Sequence, residues 1–178
     1  MGHGIIEKMP SPLGHALGGA IVGSLVARRP GWAVLAVCAA AAALPDVDIL
    51  LPMRHRGATH SVTAALVGFG AALLLLAVKG VKADRVRLAS AVGLAVLSHV
   101  LLDWLGEDSS TPRGVMALWP FSIAYYVSDL NVFAAVDRRY WSPGFLRRNT
   151  IALARELGIL IPLAWLARKG TATFLRKR

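Results

Sequence analysis

Five apolar runs divide the chain, at residues 13–27, 31–44, 62–78, 88–105 and 151–167, with short polar or basic connections between them. Each run is too long for an ordinary strand, so all five are expected to be helices. The first two fall short of the roughly 20 residues that cross a hydrocarbon core of about 30 Å. They are therefore expected as a partly embedded hairpin that turns at Arg28, Arg29 and Pro30. The runs 62–78 and 88–105, joined by the basic connection 79–87, predict a second and clearer hairpin. Gly18, Gly19 and Gly23 give the first helix a small-residue face suited to close packing. Thr59 or Ser61 is expected to cap the third helix. Residues 106–119 are polar and punctuated by Pro and Gly, hence a loop, while 115–136, which holds Pro120, Asp129 and Asn131, makes a poor span and reads as an interfacial or re-entrant piece. The expected fold class is all-α: one domain over residues 1–178, built as a membrane-embedded helical bundle of about four to six helices.

Composition strengthens the membrane reading. Hydrophobic residues make up 56% of the 178, and the mean hydropathy is +0.56. The run 13–27, with Lys8 before it, mimics a signal peptide, but an uncleaved helix that retains His15 explains the same apolar length. The formal charge of +10 is carried by short clusters beside the apolar runs: Arg28 with Arg29, residues 79–87, Arg147 with Arg148, and the residues 176–178. Such placement suits anchoring at anionic lipid, and the positive-inside rule puts the turns at 28–29 and 79–87 in the cytoplasm. Basic and aromatic residues are not interleaved in the way that stacking on bases requires, so no nucleic-acid partner is expected. Membrane lipid is. Trp119, Tyr125, Tyr126, Tyr140 and Trp141 read as an interfacial aromatic belt. The single cysteine, Cys38, can form no intrachain disulfide and suits small-residue packing.

The unusual chemistry lies in the connection 44–61. It holds Asp46, Asp48, His55 and His60, together with Arg54 and Arg56, in a chain with ten acidic residues and five histidines. Carboxylate oxygens and imidazole nitrogens form the donor set of zinc, manganese or iron sites. Pro and Asp are equally ordinary residues of a solvated turn. The hairpins weigh against the plainer reading: His15 begins the first helix, Asp46 follows the second, His60 precedes the third, and His99 and Asp103 end the fourth. All five fall at one end of the bundle, opposite the basic turns. His99 and Asp103, four residues apart, share a helix face and can reach one ion or hydrogen-bond to each other. Ionisable groups in apolar helices are costly and mark functional sites. The expected centre is built from His15, Asp46, Asp48, His55, His60, His99 and Asp103, enough for two ions or for one ion with carboxylates orienting its imidazoles.

His15, the turn Pro45-Asp46-Val47-Asp48, the block His55-Arg56-Gly57-Ala58-Thr59-His60-Ser61 and the pair His99 and Asp103 together resemble the YdjM-like family of inner-membrane metal-dependent hydrolases over about residues 13–120. The ordered ligands are more distantly similar to zinc-dependent phospholipase C and the P1-type nucleases. Those enzymes carry a later His and a His-x-x-x-Glu pair, whereas no histidine follows His99 here. Glu156, at the start of the last helix, is a candidate for the missing glutamate, with an ion pair to Arg155 as the plainer alternative. The resemblance implies a divalent cofactor, zinc first with manganese or iron as alternatives, and a phosphate ester or lipid head group as substrate. Asp46 or Asp48 would serve as base, and Arg56 would fork onto a phosphate at the start of the third helix. Two rival classes are a transport or channel protein with an intramembrane His/Asp pathway, which predicts polar residues through the depth of the bundle, and a protein with a structural metal, which predicts a closed shell without spare carboxylates.

Overall fold

A computed structural model describes residues 10–27, 31–51, 54–137 and 139–176. The chain is all-helical, with five α-helices: α1 (Pro12–Val26), α2 (Trp32–Ala43), α3 (Val62–Val78), α4 (Arg85–Leu105) and α5 (Phe145–Arg176). Two 3₁₀ segments, Leu44–Leu50 and Ala58–His60, lie between α2 and α3. Lys8, the turn at Arg28, Arg29 and Pro30, and the residues 52, 177 and 178 lie outside the described residues.

Helix starts follow local chemistry. The Ser11 hydroxyl accepts from the Gly14 amide (3.0 Å), and Pro12 opens α1, where a missing N–H costs nothing. Ser61, not Thr59, caps α3 by accepting from the Ala64 amide (3.1 Å).

The small residues of α1 set how closely the helices approach. A Cβ on Gly19 would stand 2.3 Å from the Cys38 carbonyl oxygen, so α1 and α2 meet backbone to backbone there. Cys38, Ala42, Ala91 and Ala95 form the buried cluster that joins α2 to α4. In lipid, where neighbouring tails are as apolar as the side chains, such close van der Waals contact supplies the association energy. A methyl at position 19 has no space without parting α1 from α2.

Two elements differ from the expectation. The chain does not leave helical geometry at residue 44: the 3₁₀ segment carries it through Pro45, giving a continuous stretch Trp32–Leu50. Pro45 is tolerated because it sits in the first turn of that segment, where few amides have helical partners. Trp32–Leu50, Arg85–Leu105 and Phe145–Thr171 are long and apolar enough to cross a membrane, with Pro12–Val26 and Val62–Val78 as shorter apolar helices. The last helix is nearly twice the expected 151–167, about 48 Å at 1.5 Å per residue. Pro162 does not end it, as is common where neighbouring helices compensate the lost hydrogen bond. Tertiary contacts extend it: Asn149 bonds the backbone of Asp137 near one end, and Thr171 donates to the Ser24 carbonyl (2.8 Å) near the other.

The described residues of 106–144 form no helix and pack over one end of the bundle. Val115 pairs with Tyr126, Gly106 pairs with Phe133, and Phe133 is buried with Leu102 and Leu160.

Candidate metal centre

Four chain segments deliver side chains to the covered end of the bundle. His15 comes from the first turn of α1, Asp46 and Asp48 from the 3₁₀ segment that prolongs α2, His60 from the short 3₁₀ turn before α3, and His99 and Asp103 from the last turns of α4. Their placement follows from the two hairpins, each of which returns to this end. All six are buried.

Five of them face one point. His15 Nε2 is 3.3 Å from Asp103 Oδ1, and His99 Nε2 is 3.3 Å from Asp103 Oδ2. His60 Nε2 lies 3.5 Å from Asp103 Oδ2 and 3.6 Å from Asp46 Oδ1, and His99 Nε2 lies 3.7 Å from Asp46 Oδ1. The ring of His15 stacks on that of His99, with centroids 3.8 Å apart. Both oxygens of Asp46 and of Asp103, and Nε2 of His15, His60 and His99, are buried with no hydrogen-bond partner.

Neighbouring groups fix how the imidazoles point. His99 donates Nδ1–H to the Ala42 carbonyl (2.7 Å), which leaves the Nε2 lone pair aimed at the centre. Thr59 donates its hydroxyl to Asp48 Oδ2 (2.5 Å), so its oxygen accepts from Nδ1 of His60 (2.9 Å), and again Nε2 is left for the centre. Asp48 therefore does not face the centre. Its Oδ1 takes His55 Nδ1, and its Oδ2 also lies 3.4 Å from His60 Nδ1. Asp48 stands behind His60 as seen from the centre, and with His55 and His60 it forms a further group that could hold an ion, so the geometry accommodates both arrangements the sequence left open. Burial would lower the pKa of His60, but Asp46 and Asp48, with Asp103 close by, hold it up to about 9.

The donor set fits a divalent cation. Three groups could each hold an ion: His15, His99 and Asp103; Asp46, His60 and His99; and Asp48, His55 and His60. Because His99 has one nitrogen to offer, the first two share a centre. Ligand atoms about 2.0–2.2 Å from an ion stand roughly 3.0–3.6 Å from one another at ordinary coordination angles. Four of the five observed separations, 3.3–3.6 Å, fall in that range, and the fifth is 3.7 Å. Two carboxylates and three neutral imidazoles carry a charge that a dication cancels, which removes the cost of burying them unpaired.

The remaining candidates are engaged elsewhere. Arg56 is buried with Nη1 on Asp108 and on Ser110 (2.9 Å), not on Asp46 or Asp48, and it ties the loop 106–116 to the connection before α3. The Met116 amide donates to the Arg56 carbonyl (3.1 Å) in the same junction. Glu156 is fully buried but turns to the start of α1, where it accepts from the Ser11 amide (2.6 Å) and hydroxyl. It pairs with neither Arg155 nor the cluster. Asp129 is bound to Arg113 at the surface (2.6 Å).

Several residues that shape the centre escaped the sequence reading. Ser11 had a signal, since Ser before Pro is a common helix start. Asp108 and Ser110 had a weaker one: an Asp whose side chain can accept from the amide two residues on. Nothing local singles out Thr59 as the link between Asp48 and His60.

A family model described as YdjM inner membrane protein matches residues 9–174. No curated protein and no solved structure matches the chain. The family description names a location and not a reaction. With 166 of 178 residues covered by that match, the chain belongs to the YdjM inner membrane protein family and is a multi-pass protein of the inner membrane.

Proposed function

We propose that this protein is a membrane-embedded metal-dependent hydrolase that cleaves a phosphate ester, with a lipid head group as the first substrate class. One observation carries the reading: buried carboxylate oxygens and imidazole nitrogens with no hydrogen-bond partner converge from four segments on one point. Zinc is the first ion to test, and a donor set of nitrogen and oxygen alone suits manganese or iron equally. Such an ion, when bound, supplies Lewis acidity toward water and toward the ester oxygen that gains charge.

In this reading His15, His60, His99, Asp46 and Asp103 hold the ion. Asp46, at 8% the most exposed of the five, is the ligand nearest an entering substrate. His55 holds or moves a proton: with Nδ1 donating to Asp48, its basic atom is Nε2. Asp48 fixes that imidazole and the ring of His60 in one orientation. Arg56 closes the loop 106–116 over the centre and excludes water, and Arg54, exposed on the same connection, is the cation that can meet a phosphate. The transport alternative is disfavoured because, among the described residues, the buried His, Asp and Glu side chains all belong to the covered end and its loops.

Elemental analysis of the purified, detergent-solubilised protein, combined with a screen of phosphodiesters and phospholipids, tests the reading. The expected result is a bound transition metal and ester cleavage that chelation abolishes and the ion restores. Protein that holds its ion and cleaves no ester would overturn the hydrolytic assignment.

A further inference from the structure

We propose that an apolar groove at the end of the bundle away from the metal centre holds one acyl chain of an anionic phospholipid of the cytoplasmic leaflet, with the head-group phosphate between Lys79 and Arg85. The groove has a volume of about 290 Å³ and is lined by Val34 and Val37 of α2, Ala72 and Leu76 of α3, and Leu88 and Val92 of α4, with Lys79 at its end. All of them lie in the helix halves that meet beside the basic connection 79–87, remote from His60 and His99. Apart from Lys79 the lining carries no charge, and two of its members, Val37 and Leu75, are exposed on helices that stand in hydrocarbon. A slot of this kind takes an acyl chain, since a polar group placed there would lose its hydration without gaining a hydrogen bond.

Charge selects the head group. On α3, Ala72, Leu76 and Lys79 stand at i, i+4 and i+7, and on α4, Arg85, Leu88 and Val92 stand at i, i+3 and i+7, so each apolar stripe ends in a cation one turn nearer the end of its helix. The connection between the two helices carries Lys79, Lys82, Arg85 and Arg87 against one carboxylate, Asp84, which lies 3.8 Å from Arg87. Among the described residues no carboxylate pairs with Lys79, Lys82 or Arg85. Their charge is therefore open to a phosphate, and the positive-inside rule sets this end against the anionic cytoplasmic leaflet. A zwitterionic head group would bring an ammonium of its own toward these cations, whereas phosphatidylglycerol brings none.

Depth agrees. The apolar helix α3 stops at Val78, which sets Lys79 at the level of the head groups, and its long stem lets the ammonium reach them while the methylenes line the groove. From Lys79 to Ala72 is seven residues, about 10 Å along the helix. One leaflet's half of a core about 30 Å thick is about 15 Å, so the groove takes most of a chain whose phosphate sits beside Lys79.

The test uses the whole protein in phosphatidylcholine vesicles that contain a small fraction of either phosphatidylglycerol or phosphatidylethanolamine, each carrying the same mid-chain photoactivatable diazirine. Labelling of the segments 33–38 and 72–76, taken relative to the exposed segment 161–166 of α5, is expected to be several-fold stronger with the phosphatidylglycerol probe. Lys79→Gln together with Arg85→Gln should remove that excess by removing the cations. Ala72→Trp should remove it by filling the groove with every cation in place; Val37→Trp serves if the first variant loses its helical circular dichroism. Equal labelling of the parent protein by the two probes would overturn the proposal, because the groove would then hold ordinary surrounding lipid. An excess that survives the Trp variant would also overturn it, since charge alone would then gather the lipid at this end. Labelling by neither probe would do the same, by showing the groove filled with protein, such as a second copy of the chain.

Discussion

Asp103 and Asp108 stand five residues apart and are equally buried, at 5% and 6% exposure, yet their surroundings are opposite. Asp108 is saturated with donors. Its Oδ1 accepts from the Ser110 amide (2.8 Å) and hydroxyl (2.6 Å), and its Oδ2 from the Gly114 amide (2.6 Å) and the Arg56 guanidinium. Asp103 has none: both of its oxygens face imidazole nitrogens at 3.3–3.5 Å without forming a hydrogen bond. A carboxylate surrounded by donors is a structural tie that is complete within the chain, whereas one that meets lone pairs is incomplete until a cation joins it. Burial alone does not distinguish the two; the identity of the facing atoms does.

The largest expected effect is on the incomplete region. Replacing His60 and His99 together with Ala removes two of the five facing donors and should abolish ion binding, while the helical circular dichroism stays near that of the parent. Full metal content in the double variant would break the comparison, since the donor-less cluster would then not be where the cation binds.

Exchanging each aspartate for asparagine should separate the two regions by sign. Asp103→Asn removes one unpaired buried charge, so the metal-free protein should be as stable as the parent or more so. Its ion affinity should fall by more than the ~10–100-fold typical of losing an outer partner of a metal ligand. Asp108→Asn leaves the ion bound but takes away the carboxylate that the buried Arg56 guanidinium faces, at a cost on the order of 3 kcal/mol. Denaturant unfolding with and without chelator, read beside ion titration, measures both. If the two variants shifted stability in the same direction under chelation, the distinction would not hold.

The smallest effect is expected at a third buried carboxylate, which sharpens the rule outside the membrane. Asp137 resembles Asp108: it accepts from the backbone and side chain of Arg139, from Ser142 (3.1 Å) and from Arg148 (2.7 Å). The Arg139 hydrogen bonds, with those of Arg148 and Ser142, hold its pKa well below the ordinary carboxylate value of about 3.9. A group whose folded pKa is depressed contributes stability that is full above its unfolded value and is lost as pH falls through the folded one. Hydrogen-exchange protection of residues 137–149 should therefore be flat above about pH 5 and decline below about pH 4. Protection that is unchanged down to pH 2 would show that the junction does not depend on this carboxylate.

Much of this arrangement was legible residue by residue. The apolar runs announced the helices, and the alternation of basic turns with His- and Asp-bearing ends announced that the candidate ligands share one end. Helix ends were less legible. Phe145–Arg176 is long because Asn149 and Thr171 find partners elsewhere in the chain, and no periodicity in the run itself records those partners. The stretch Trp32–Leu50 exceeds its apolar run because a proline at the start of a 3₁₀ segment breaks nothing.

What the sequence determined by itself is the inventory and its coarse placement: an all-helical membrane protein whose candidate His and Asp ligands gather at the end opposite the basic connection 79–87. It also determined the His99 and Asp103 pair, because four residues in a helix fix a common face. What only the tertiary structure decided is the role of each polar group. Asp46 and Asp48 are two residues apart on one turn, yet one faces three imidazoles and the other backs them through Thr59, because a 3₁₀ turn sends positions two apart to different sides. Arg56 met Asp108 and Glu156 met Ser11 across separations of 52 and 145 residues. Partners that distant are chosen by packing: a buried charge goes to whichever compensating group the folded backbone brings within reach, and spacing along the chain does not encode that choice.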